Sequence, residues 1–185
     1  MARAHPATPD AIELLKADHA EVKELFEEFK KLQESDEEGT EDLKQALMDA
    51  VCSALKVHTQ IEEEILYPAA RAVLPDEEDL MNEADVEHAG AKDLIAQIEA
   101  SSAYDAMTCA KFLVLAEQID HHVEEEHTDM FPKLRKSTMD TKAIGVKLAA
   151  RKEELTAEME KAIAEAPEGL RPSMPPKDGG RPLRG

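Results

Sequence analysis

Apolar residues recur at spacings of three and four along most of the chain, the period of a helix with one buried face. The first stripe is Ile12, Leu15, Val22, Phe26 and Phe29, with His19 in phase. Thr8 as N-cap and Pro9 at the first helical position predict where it starts, and it ends near Ser35, before the acidic DEEGT linker. A second stripe follows the Gly39-Thr40 cap and contains Leu47, Val51, Ala54, His58, Ile61 and Ile65; Pro68 is expected to kink or end its last turns. A third follows LPDEEDL, with Asp76 as cap, and reads Met81, Ala84, His88, Ala91, Ile95 and Ile98. The fourth runs from about Tyr104 to Leu134 through Phe112, Leu115, Ile119, His122, Glu126 and Met130. Four amphipathic helices with short connections predict an all-α fold: an up-down-up-down antiparallel four-helix bundle over residues 8–137. Ile144, Leu148, Leu155, Met159 and Ile163 predict an additional C-terminal helix within 138–165, which would cap the bundle or pair two chains as a homodimer. Residues 166–185, rich in Pro and Gly, read as a disordered tail.

Charge narrows the partners. With 22 basic and 41 acidic residues among 185, the formal charge is 22 − 41 = −19. Such a surface repels phosphate backbones and anionic lipid, so no nucleic acid and no membrane partner is expected. The longest apolar run near a helix centre, FLVLA at 112–116, is far short of a span, and the opening MARAHPATPD has no apolar signal core. Cys52 and Cys109 form no CxxC pair. A reducing, cytoplasmic setting is the expectation.

The stripes also carry chemistry. Residues 58–68 read HTQIEEEILYP and residues 122–132 read HVEEEHTDMFP: twice a His, a Glu four residues on, and six residues later a proline preceded by an aromatic. Ahead of each lies a shorter repeat, HAEVKEL from His19 and HAGAKDL from His88. Four histidines therefore fall on core stripes, one per helix, with Glu62 and Glu126 in the same layer. A buried carboxylate is costly unless paired or bound to a cation, and no Lys or Arg occupies the inward stripes. Residues i and i+4 lie one turn apart on one face, so His19, His58, Glu62, His88, His122 and Glu126 can converge on metal. Six ligands exceed the four of a tetrahedral zinc and suit two ions; iron fits, and manganese or a mixed pair fits the same donors. By helical phase, His121 and His127 fall off the stripe and are expected on the surface, as are Glu63 and Glu64.

The order His, HxxxE, His, HxxxE, with YP and FP closing the two HxxxE helices, resembles the hemerythrin-like (HHE cation-binding) family over about residues 8–135. The resemblance implies a four-helix bundle holding two non-haem iron ions through those six residues, with both Glu bridging and an oxo or hydroxo bridge completing the pair. The oxygen carriers of that family have a further His one turn along the third helix, where this chain has Ala84 and Lys92. The four-His, two-Glu set is more similar to iron-sulfur repair proteins and to bacterial single-domain members. It implies reaction with a small diatomic or peroxide ligand, in stress defence or iron handling; a reversible oxygen- or iron-binding module without turnover is the alternative. By the same resemblance Glu87 could aid iron or proton movement, with a plain exposed Glu as the competing reading. Tyr67 and Cys52 are expected to serve packing.

Overall fold

The computed structural model describes residues 9–35 and 38–165; Thr8, expected as a cap, and the tail from 166 lie outside the described residues. Helix α1 spans Ala11–Glu34. Asp10 caps it, its Oδ1 accepting from the Ile12 and Glu13 amides at 3.1 and 3.3 Å. Helix α2 (Glu41–Ile61) follows Thr40 at its N-cap. It continues through a π-helical segment, Glu62–Leu66, into α3 (Tyr67–Val73). Helix α4 (Glu78–Glu99) has Glu77, not Asp76, at its N-cap. Helix α5 (Ala106–Glu125) is capped by Asp105, runs through a second π segment, Glu126–Met130, and ends as α6 (Phe131–Lys136). Helix α7 spans Thr141–Glu165. None of these helices is long and apolar enough to cross a membrane.

Pro68 neither ends nor breaks its helix. A proline lacks the amide hydrogen and its ring collides with the carbonyl four residues back. The preceding turn widens instead, and the Tyr67 amide donates to the Glu62 carbonyl, a bond spanning five residues. Pro132 has the same solution, with the Phe131 amide donating to the Glu126 carbonyl. The repeated aromatic-proline pair thus produces the same wide turn twice, each beginning at the Glu of an HxxxE.

In the bundle α1 neighbours α2 and α5, and α4 completes the ring between α2 and α5. All six stripe residues of α1, the six of α4 and the six running from α5 into its π segment are buried, as expected. The apolar interior forms two clusters. One contains Phe26, Phe29, Val51, Ile95, Phe112 and Leu115. The other contains Ile12, Leu15, Ile61, Tyr67, Met81, Phe131 and Leu148. The histidines sit between them, His19 between Leu15 and Val22 and His88 between Ala84 and Ala91, so a polar layer divides the core.

Helix α7 packs against α1 and α2 of its own chain and buries Leu148 and Leu155. Gly145 permits the approach: a Cβ there would lie 2.2 Å from the Pro9 carbonyl oxygen and 2.7 Å from the Ala11 amide nitrogen. Gly145→Ala is therefore expected to lower stability by about 1–3 kcal/mol, the usual cost of overpacking. Thermal denaturation checks it; an unchanged midpoint would show that α7 adjusts without strain.

Candidate metal centre

The layer between the two clusters contains all six residues expected there from the sequence. His19 comes from α1, His58 from α2, His88 from α4 and His122 from α5, while Glu62 and Glu126 open the two π segments. All are buried, Glu62 completely. The four rings point Nε2 inward: His19 Nε2 lies 2.9 Å from His58 Nε2, and His88 Nε2 lies 3.1 Å from His122 Nε2. The centre therefore has two halves, His19 with His58 and His88 with His122.

Each carboxylate spans both halves. Glu62 Oε2 is 3.2 Å from His58 Nε2 and 3.5 Å from His88 Nε2. Glu126 reaches His19 Nε2 at 3.4 Å through Oε2 and His122 Nε2 at 3.9 Å through Oε1. His19, His58, Glu62 and Glu126 each offer one ligand atom within 4.8 Å of the others, and Glu62, His88 and His122 do the same. Neither oxygen of Glu62, nor Oε2 of Glu126, has a hydrogen-bond partner. Buried carboxylate oxygens without partners are expensive, and a cation placed among the four Nε2 atoms would satisfy them. Imidazole and carboxylate donors suit iron, manganese or zinc, so the residues fit a metal centre.

Three of the rings are also held from behind by a hydrogen bond at Nδ1, and the fourth, His58, faces a carboxylate without forming one. Glu87 Oε2 accepts from His122 Nδ1 at 2.7 Å, and Glu63 Oε1 from His88 Nδ1 at 3.1 Å. Asp18 Oδ2 stands 3.5 Å from His58 Nδ1, and His127 Nε2 stands 3.0 Å from His19 Nδ1. Such partners fix the tautomer that presents Nε2 and orient the ring, as around metal-bound imidazoles generally. Two lysines complete this outer layer: Lys152 of α7 reaches Asp18 at 2.5 Å, and Lys92 reaches Glu63 at 2.6 and 2.5 Å.

Several of these contacts correct the sequence reading. His127 was expected on the surface and instead backs His19, half-buried. Glu63 was expected to point away and backs His88. Tyr67 packs in the core, as expected, but its hydroxyl also donates to Glu126 Oε1 at 3.3 Å and stands 3.2 Å from His88 Nε2. Glu87, left between two readings, contacts His122. His121 is exposed, with 65 % of its side-chain surface accessible, and Cys52 is a buried core thiol pushed up to about 12 by burial. Asp18 was not singled out; its signal is its place before His19, matched by Glu87 before His88.

Protonation without metal follows from burial and the carboxylates. Burial, then the charge on His58, pushes His19 down to about 3, and burial lowers His88. Burial also opposes charge on His58, but Glu62, Asp18 and Glu126 carry it up to about 10. Burial would raise Glu62, yet His58 holds it near 2; Glu126, with burial and the Glu62 charge both acting on it, is pushed well above the usual carboxylate range. Protons on His58 and Glu126 thus neutralise a site built for cations.

The chain's similarities agree with this geometry. A family model described as the hemerythrin HHE cation binding domain matches residues 10–134. The fold is similar to the crystal structure of a hemerythrin HHE cation binding domain-containing protein, an Rv2633c homolog, from Mycobacterium kansasii. That likeness has a TM-score of 0.68 at 23% identity and covers 87% of this chain and 96% of that one. No curated protein sequence matches.

Proposed function

This chain belongs to the hemerythrin HHE cation binding domain family, and we propose that its buried layer holds two non-haem iron ions and reacts with a small oxidant: peroxide, oxygen or nitric oxide. The observation that carries the reading is the pair of carboxylates, each lying between an imidazole of one half and an imidazole of the other. Two ions, one per half, would each be held by two imidazoles, with Glu62 and Glu126 available to both. Iron bound there would supply electrons to the oxidant and an open position to receive it.

The chain's own side chains set the conditions for that chemistry. Glu63, Glu87 and His127 hold three of the rings by hydrogen bonds at Nδ1, and Asp18 faces the fourth, so that each Nε2 points into the layer. Ala84 and Lys92 occupy the positions one turn from His88 where a further ligand would have to stand, and Lys92 is engaged with Glu63 instead. The half built on His88 and His122 therefore gains no further protein ligand from α4. Tyr67, within hydrogen-bond reach of Glu126 and His88, donates a hydrogen bond to Glu126 Oε1 and so orients that carboxylate. Among the described residues, a cavity of about 340 Å³ between α1, α2 and α7 is lined by Val22, Ala54, Val57 and Met159 and reaches Asp18 and His58. Its walls are mostly apolar, with Glu21, Asp49, Lys152 and Glu160 also among them.

The test is iron analysis of reconstituted protein followed by stopped-flow mixing of the reduced form. Two irons per chain, oxidation by air that deoxygenation does not reverse, and rapid reaction with peroxide or nitric oxide are expected. One tightly held zinc with no second ion would overturn the two-ion reading. Oxygen uptake that reverses on deoxygenation would instead establish a reversible binding module.

A further inference from the structure

The internal repeat extends to the residues behind the ligating rings, and it is broken at one of them. Asp18 and Glu87 precede the first histidine of each repeat, and each contacts the HxxxE histidine of its own hairpin, His58 and His122 respectively. Glu63 and His127 follow the glutamate of each HxxxE, and each contacts the first histidine of the other repeat, His88 and His19 respectively. Three of the four positions carry a carboxylate. The fourth, His127, carries an imidazole.

From this broken symmetry we infer that the two metal positions are unequal: the half built on His88 and His122 binds the tighter ion, and the half built on His19 and His58, backed by His127, fills second. The inference rests on the two-ion reading above. An imidazole whose Nδ1–H donates to a carboxylate is a more basic Nε2 ligand than one donating to a neutral acceptor. His88 and His122 both have a carboxylate behind them. On the other side only His58 has one nearby, Asp18 at 3.5 Å without a hydrogen bond, because His19 Nδ1 faces the imidazole of His127.

Charge acts in the same direction, and both act against the one further ligand atom, from Glu126, that the His19 and His58 group gathers. Asp18 is matched by Lys152 and Glu63 by Lys92, so those pairs sum to zero. Among the described residues no Lys or Arg pairs with Glu87, whose remaining contact is the exposed His121 at 3.8 Å. The layer behind His88 and His122 is thus one unit more negative than the layer behind His19 and His58. A divalent cation favours that half. The two terms have a common origin in a single residue choice, since a glutamate at 127 would supply both the missing carboxylate and the missing charge.

Calorimetric titration of the metal-free full-length chain with cobalt(II), under anaerobic conditions, tests this. Two steps of different affinity are expected. His122→Ala should remove the tighter step and His58→Ala the weaker. His127→Glu should tighten the second step by about 10–100-fold and leave the first in place, the usual scale for such outer contacts. Glu63→His should weaken the first step by a similar factor, and it serves as an independent variant if His127→Glu folds poorly. Two equal steps in the unaltered chain would overturn the inequality while leaving the two-ion centre standing. So would steps that stay put in both variants. Uptake of a single ion would overturn the two-ion reading and the inference together.

Discussion

Glu62→Leu is expected to abolish binding of both ions and, at the same time, to make the metal-free chain less stable. Glu62 is completely buried, neither of its oxygens has a hydrogen-bond partner, and it belongs to both groups of converging ligand atoms. Removing it takes a bridging ligand from each half at once, whereas His122→Ala takes a ligand from one half and exposed His121→Ala takes none. In the metal-free chain the same carboxylate is the main partner of a buried charge. It lies between two apolar clusters, and its charge is what keeps His58 protonated in the interior. Removing one partner of a buried ion pair typically costs about 3–5 kcal/mol, because the other charge is left unpaired. At about 2–4 °C per kcal/mol for a chain of this length, the metal-free midpoint should fall by several degrees. Metal analysis and thermal denaturation with a chelator present read the two effects separately. A variant that still held two ions would remove Glu62 from the centre. A metal-free variant that melted later would show that burying this carboxylate costs more than its pairing with His58 gains.

The cost of burial explains why the inner layer was legible in the sequence and the residues behind it were not. A His or Glu on an apolar stripe is conspicuous because burial penalises it, and one per helix in register marks a shared layer. His19, His58, Glu62, His88, His122 and Glu126 could be placed from helical period alone. Asp18, Glu63 and His127 lie one residue away from those positions, at the boundary of the stripe. There an α-helical phase assigns them to solvent. Two things move them inward. Glu63 and His127 stand in π segments, where each residue advances fewer degrees around the axis than in an α-helix, so the residue after the Glu turns less far from the core. Their partners, His88 and His19, come from other helices, a relation no local period encodes. Lys152 was hidden for the same reason: it reaches Asp18 only because Gly145 lets α7 lie close against the start of α1. The proline signals were visible, but their consequence depends on whether the neighbouring turn can widen. Here both turns widen, and both helices continue.

Metal loading at neutral pH should release at least two protons per chain, and the overall affinity should fall steeply as pH falls. The count follows from the metal-free site. His19, near 3, and His88, also lowered, are already neutral and ready to ligate; Glu62, near 2, is already ionised. His58, raised to about 10, and Glu126, raised by burial and by Glu62, each hold a proton that must leave before the atom can bind a cation. The sign is set by competition. Both raised groups are protonated below their metal-free values, so lowering the pH strengthens the competitor, and raising it relieves the competition until those values are passed. Two coupled protons correspond to about a hundredfold change in the overall two-ion binding constant per pH unit, each proton contributing about tenfold. Calorimetry in buffers of different ionisation enthalpy counts the protons directly. Because the ions bind the folded chain, the midpoint gained on loading should shrink in parallel as the medium is acidified. Asp18→Asn tests the source of one proton: without the Asp18 charge, His58 loses part of what holds it protonated, and fewer protons should be released. Loading with no proton release, or an affinity flat across the neutral range, would show that the carboxylates and imidazoles do not compete for protons as their burial requires.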